Sequence, residues 1–250
     1  MPSDRVQNEQ DAYDEGLVRE RNNNLQQRFC HVNECRNNQR SEEYLATWIG
    51  RVIPDSAVLD YGCADGWMAS KYLGLKPLEI TGIDISPVAI EKANSLGLPA
   101  KFLVMDAHKM KFDDATFDAV IGRAILHHLD FEKAIVEIAR ILKPGGYAIF
   151  QEPLRDNPAA KLLRVLTPSA RTRDELPLSR KQIEWADSKF SASHHHFSGL
   201  MSTGVGLITS LVLRHKPENA LLKAADLVDE AMSKSFIRYW MRRVVLVWQK

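Results

Sequence analysis

The chain has little cysteine: Cys30, Cys35 and Cys63 are the three such residues in 250. A low, odd count excludes a disulfide framework as the source of stability and suits a reducing compartment. Cys30, His31 and Cys35 lie close together, but no second ligand pair follows at zinc-site spacing, so no metal site is expected. An excess of one charge is also missing. The formal net charge is +1, so no whole-chain field marks it as a nucleic-acid or membrane binder. Long apolar runs are absent too. The longest uncharged stretch, Phe197 to Leu213, is interrupted by serine, threonine and glycine. It falls short of the roughly 20 apolar residues of a spanning helix. It reads as a buried or lid helix, with contact to a membrane surface as the alternative. The polar N-terminus shows no charged-then-apolar leader pattern. The expectation is a cytoplasmic protein, monomer or homodimer, without a transmembrane segment.

What is present is ordinary globular composition, 45% apolar and 26% charged, with room for one large α/β domain plus additions. Residues 1–24 are rich in asparagine, glutamine and acids and read as flexible. A helical pattern then runs to Val52, with Tyr44, Leu45, Trp48, Ile49 and Val52 on one face. From Ala57 onward, short apolar strands alternate with helices. Strands are predicted at 57–61, 78–84, 100–105, 117–121 and 147–151, and helices at 67–75, 87–96 and 131–142. Ser86-Pro87 is a helix start, and the 143–146 Lys-Pro-Gly-Gly run reads as a helix stop. This order predicts a parallel sheet with helices on both faces. After Pro153 the texture changes to a proline-bearing segment with more basic than acidic residues. It reads as an inserted, substrate-covering segment. Two further strands, 190–197 and 243–249, with intervening helices, complete the chain. The predicted organisation is an N-terminal helical extension (1–53), a cofactor-binding core (54–153), and an insertion plus C-terminal completion of the same sheet (154–250).

Ligands of open α/β sheets sit outside the carboxyl ends of the strands. Asp60, Asp84, Asp106 and Glu152 fall at four such ends and would line one crevice. The turn after the first strand, VLDYGCADG over 58–66, carries Gly62 and Gly66, which allow tight turning and close ligand approach. A dinucleotide fingerprint needs Gly-x-Gly-x-x-Gly. Counting from Gly62, the second and third places hold Ala64 and Trp67, so that reading fails. No phosphate-cradling Gly-x-x-x-x-Gly-Lys loop is present either. Asp84 at the end of the second strand suits a ribose diol.

The set VLDYGCADG (58–66), GIDISP (82–87), MDA (105–107), FDAV (117–120), LHHL (126–129) and LKPGG (142–146) resembles the class I S-adenosylmethionine-dependent methyltransferases of the type 11 kind. The resemblance covers about Val58 to Pro153. It implies a Rossmann-like, doubly wound, mostly parallel seven-stranded sheet, and S-adenosyl-L-methionine as cofactor. It further implies that Gly62 and Cys63 face the methionine part, that Asp60 helps hold its amino group, and that Asp84 holds the ribose. Ile85 would pack on the adenine, Asp106 and Ala107 would meet the adenine amino edge, and the backbone at Gly122 and Arg123 would close the methionine end. Ala64 departs from the family, which usually has glycine there.

The implied activity is methyl transfer to a small organic acceptor at oxygen, nitrogen or carbon. The alternatives are an RNA or protein acceptor, or an inactive cofactor-binding homologue. Methyl transfer from a sulfonium needs alignment and water exclusion, and a base only if the nucleophile must lose a proton. His127 and His128 are the candidate bases. Glu152, Arg164, Arg171 and His195 are the candidate acceptor contacts. The arginines would meet a carboxylate or phosphate, or else pair with Asp156, Asp174 and Glu175 to order the segment. His194, His195 and His196 alternate on a strand, so they do not form a metal site alone. The basic run lacks interleaved aromatics, which disfavours nucleic acid.

Overall fold

A computed structural model describes residues 28–166, 176–213 and 219–250. Seven strands form one sheet: β1 (Ala57–Tyr61), β2 (Glu79–Asp84), β3 (Lys101–Val104), β4 (Phe117–Arg123), β5 (Leu142–Pro153), β6 (Ala192–Ser198) and β7 (Arg243–Gln249). Their order is β3-β2-β1-β4-β5-β7-β6. β1 to β5 run parallel, and β7 runs antiparallel to both β5 and β6. Around the sheet lie α1 (Cys30–Glu34), α2 (Arg36–Val52), α3 (Trp67–Leu73), α4 (Pro87–Ser95), α5 (Phe131–Ile141), α6 (Pro158–Leu166), α7 (Arg180–Asp187), α8 (Met201–Val212) and α9 (Ala220–Met232).

The sheet is central because its strands are apolar on both faces. Leu59 and Tyr61 of β1 join one core with Ile135 and Ile138 of α5 and with Leu246 and Trp248 of β7. Val58, on the other face of β1, joins the opposite core with Ile49 of α2, Ala69 of α3 and Ile90 of α4. Val245 and Val247 of β7 face that second core. Period-two alternation therefore sends successive residues into different helix layers. Each fully buried leucine or isoleucine contributes about 1.5–3 kcal/mol. Helix starts are set by side chains. Ser86 Oγ accepts from Ala89 N–H (3.0 Å) ahead of Pro87, and Ser179 and Gln182 form a reciprocal box at α7.

Three local readings change. The N-terminal helix is broken at Cys35, whose extended backbone (ψ 151°) separates α1 from α2. The 143–146 run does not stand outside the sheet but forms an irregularity within β5. Phe117 pairs with Leu142 and Ala119 with Tyr147, so two steps along β4 face five along β5. The segment after Pro153 is partly regular, since α6 forms within it. The first 24 residues, and the greater part of the 167–178 stretch, lie outside the described residues.

The uncharged run becomes α8. Its N-terminal N–H groups at Leu200, Met201 and Ser202 donate to the buried Asp229 carboxylate of α9 (3.1, 2.6 and 3.1 Å). Its inner face packs on α1, where a Cβ at Gly206 would lie 3.1 Å from Val32 Cα. Its outer face exposes Met201, Ile208 and Val212. Among the described residues no helix is long and apolar enough to cross a membrane, and no group of metal-ligating side chains gathers.

Candidate functional site

The strand order reverses between β1 and β4, and the crevice at their carboxyl ends is where this architecture takes a ligand. The chain leaving β1 turns through Gly62 (φ 75°), Ala64 (φ 47°) and Gly66 (φ 77°). Gly62 N–H and Cys63 N–H both donate to Ile83 O at 2.9 Å, which folds the turn over the end of β2. A Cβ at Gly62 would lie 2.7 Å from Ile125 Cγ1, so only glycine fits. Asp84 ties the two turns together. Its Oδ2 accepts from Ala64 N–H and its Oδ1 from Ser86 N–H, each at 3.0 Å.

A cavity of about 240 Å³ opens against these turns. Asp60, Gly62, Cys63, Asp84, Ile85, Asp106, Ala107 and Arg123 all line it, so eight of the nine positions expected at the cofactor come together in one recess, and Gly122 is not among its lining residues. His128 lines it as well. Asp60 is 3% exposed, and its Oδ2 is buried without a hydrogen-bond partner among the described residues. Burial, and then the charge of Asp84, push its carboxyl up to about 7. Such a group is relieved by a cation or donor placed in the cavity. The Cys63 thiol is pushed up by burial and by Asp60 and Asp84, which makes it a poor nucleophile.

The exit of β3 is fixed by two contacts. Tyr61 Oη donates to Ala107 O at 2.9 Å. Asp106 Oδ1 accepts from His108 N–H (2.9 Å) and meets His108 Nδ1 at 2.8 Å. Asp130 N–H donates to His108 Nε2 at 2.9 Å, so Nε2 is the acceptor and Nδ1 carries the proton toward Asp106. His108 also lines the cavity, a role that no motif announced.

The other expected residues are placed elsewhere or lie outside the described residues. Glu152 is wholly buried and does not reach the cavity. Its Oε1 accepts from the Ile125 and Leu126 N–H groups (2.9 Å each), and its Oε2 meets His127 Nδ1 at 2.6 Å. Glu152 therefore holds the loop after β4, and His127 is turned away from the lining as its partner. His195 Nε2 meets Asp187 Oδ1 at 2.8 Å on the α7 side of the sheet, away from the cavity. The reason is alternation: His194 stacks on Trp48 and His196 on Tyr44, both toward α2, which sends His195 the other way. The Arg164 side chain and Arg171 lie outside the described residues.

Arg123 does more than close a backbone turn. Its Nη2 donates to both Glu42 oxygens at 2.9 Å each, and also contacts Gln151 Oε1. Glu42 also meets Arg243 (3.5 Å), and Arg243 shares Asn38 Oδ1 with Arg242. These partners stand far apart in sequence, and no short motif pointed to them.

Residues 59–150 match the methyltransferase domain family. Over that stretch the chain is similar to the class I S-adenosylmethionine-dependent methyltransferases. Over 129 residues it is 35% identical to an Arabidopsis thaliana tRNA (carboxymethyluridine(34)-5-O)-methyltransferase, covering 50% of this chain and 30% of that one. Over 132 residues it is 30% identical to the Penicillium expansum O-methyltransferase cnsE, covering 48% of each. The chain thus spans about a third to a half of the length of these curated relatives. Among solved structures, the Haemonchus contortus phosphoethanolamine N-methyltransferase 2 in complex with S-adenosyl-L-methionine superposes with a TM-score of 0.59 at 16% identity, covering 83% of this chain and 52% of that one. That likeness concerns the fold. S-adenosylmethionine is the cofactor that goes with the family, and the cavity fits it: a buried Asp60 oxygen with no partner among the described residues could accept from an ammonium, and a glycine turn leaves room for close approach.

Proposed function

We propose that this protein transfers a methyl group from S-adenosylmethionine to a small organic acceptor. The observation that carries the reading is the convergence of Asp60, Asp84 and Asp106, from three successive strand ends, on one cavity beside a glycine-bearing turn. The cofactor, when bound, supplies a methyl group already activated by the positive sulfonium. What remains for the chain is positioning and exclusion of water. In this reading Asp60 holds the amino group. Asp84, oriented by its two backbone contacts, accepts from the ribose hydroxyls. Ile85 packs on the adenine, and Asp106, held by His108, meets the adenine amino edge beside Ala107. Gly62, Cys63 and Arg123 line the methionine end. His128 is the base candidate left at the cavity, since His127 is engaged with the buried Glu152. It is needed only for an acceptor that must lose a proton.

A second reading, an RNA acceptor, is favoured by the positive balance between Arg155 and Lys181 and by the tRNA-modifying relative. Net charge near neutrality and the lack of interleaved aromatics weigh against it. Isothermal titration with S-adenosylmethionine tests the proposed function. Binding by the wild type that is lost in Asp84→Ala is expected. A wild type that binds nothing, or a variant that binds as well, would overturn it. A salt-sensitive gel shift with RNA would favour the second reading.

A further inference from the structure

The acceptor end of the cavity has its own chemistry, and assigning it to an acceptor rests on the methyltransferase reading. Arg123 ends β4, and Arg242 and Arg243 stand at the start of β7, which pairs with the end of β5. All three side chains converge on the N-terminal half of α2. Arg123 Nη2 donates to Glu42. Arg243 Nη1 donates to Asn38 Oδ1 (3.0 Å) and meets Glu42 Oε1 (3.5 Å). Arg242 Nη2 donates to Asn38 Oδ1 (3.2 Å) and to Val32 O (3.4 Å). Among the described residues, Glu42 is the one carboxylate within ion-pair distance of these guanidiniums.

Arg123 and Arg243 share one carboxylate, and the Arg242 side chain beside them pairs, among the described residues, only with Asn38 Oδ1 and Val32 O. The cluster therefore carries an excess of positive charge, and a buried cation is costly unless paired. The crowding is felt. Burial and then the charge of Arg243 push the Arg242 guanidinium down, and burial lowers Arg243, with Arg123 adding to it against Glu42. Arg242 and Arg243 nonetheless remain charged at neutral pH, because a guanidinium starts from so high a value.

Each arginine spends one terminal nitrogen on these contacts. Nε and Nη1 of Arg123, and Nε and Nη2 of Arg243, make no hydrogen bond to the described residues, and none of them is sealed from solvent. The side chains of Arg123, Arg243 and Glu42 keep 27%, 25% and 38% of their exposure. Open N–H pairs on a planar fork are matched to a carboxylate or a phosphate. Arg123 also lines the cofactor cavity, so such a site would be continuous with the methyl-transfer site.

We propose that the methyl acceptor carries an oxyanion, a carboxylate or a phosphate, that docks on Arg123 and Arg243 beside Glu42 at the edge of the cofactor cavity. Glu42 keeps the fork oriented, and its carboxylate competes with the incoming anion. Were the cluster only a fastener between α2 and the sheet, it would select no ligand.

The test is calorimetric titration of octanoate, octyl phosphate and neutral octanol into the full chain, with and without saturating S-adenosylhomocysteine. One of the two anions is expected to bind at least about tenfold more tightly than octanol, and which one distinguishes a carboxylate from a phosphate. Arg243→Gln should weaken that anion about tenfold while S-adenosylhomocysteine affinity stays within about threefold. Glu42→Gln should tighten the anion, which keeps the test decisive if Arg243→Gln does not fold. Neither anion outcompeting octanol, or both variants binding as the wild type does, would overturn the proposal. Failure of S-adenosylhomocysteine to bind while anion selectivity persists would instead sink the methyltransferase reading and leave the oxyanion site standing.

Discussion

The two halves of the sheet present opposite charge at their carboxyl ends. On one side of the reversal, β1, β2 and β3 end in or lead to Asp60, Asp84 and Asp106. On the other, β4, β5 and β7 bring together Arg123, Gln151 and Arg243. The acidic half suits a ligand offering an ammonium and hydroxyls, and the basic half suits an anion. The two halves also differ in how they are built. The acidic side comes from one stretch, 60–108, in which each carboxylate follows its own strand. The basic side is gathered from α2, the ends of β4 and β5, and the start of β7.

Glu152 is the test of that contrast, because it is a carboxylate on the basic half. It is spent entirely inside the protein, on two N–H groups and His127. Glu152→Ala would leave those donors buried and unsatisfied, and should cost about 3–5 kcal/mol of stability, read by urea denaturation. Asp84→Ala should cost less stability but weaken S-adenosylmethionine binding about 100-fold, or roughly 2.7 kcal/mol, by calorimetry. If Glu152→Ala instead folded normally and lost only activity, the division between a structural and a ligand-facing carboxylate would be broken.

Asp60 sharpens the acidic side through pH. Its carboxyl is raised to about 7 in the folded protein by burial and by Asp84, whereas in the unfolded chain it titrates near about 4. Between those values the folded protein holds the extra proton. Stability of the ligand-free protein therefore falls as pH rises through that window, by up to about 1.4 kcal/mol per pH unit, and levels off above it. Asp60→Asn should remove the slope in thermal denaturation. A bound ammonium favours the ionised form, so cofactor binding should release a proton and weaken up to about tenfold per pH unit below 7. Titrations in buffers of different ionisation enthalpy would read that proton.

The smallest effect is expected at Ala64. Its left-handed backbone (φ 47°) is strained for any residue with a Cβ. Ala64→Gly should stabilise by about 0.5–1 kcal/mol, while cofactor affinity stays within about tenfold. A larger gain in affinity would mean that the turn itself limits binding.

Legibility in the sequence follows the same line as the charge. The first four strands and the eight cavity positions were readable because strand, turn and carboxylate repeat locally between 57 and 123, and the last three strands were readable from their own short runs. Glu152 read like the other strand-end acids. Only three-dimensional placement shows its oxygens turned inward to Ile125, Leu126 and His127. His195 was ambiguous for the opposite reason: alternation fixes that it differs from its neighbours, not which side faces the ligand. Glu42 and Arg243 carry no motif at all, since their meeting depends on how α2 packs across the finished sheet. His108 had one available signal, its position two residues after Asp106, but such a spacing is common in turns.

On the proposed reading, the acidic wall of the cavity and the basic cluster that begins at Arg123 take two ligands separately. One set of titrations decides it: S-adenosylhomocysteine and the better-binding octyl anion, each against Asp84→Ala and Arg243→Gln. Asp84→Ala is expected to lose S-adenosylhomocysteine and keep the anion, and Arg243→Gln to do the reverse. Loss of both ligands by either folded variant, or of neither by both, would contradict it.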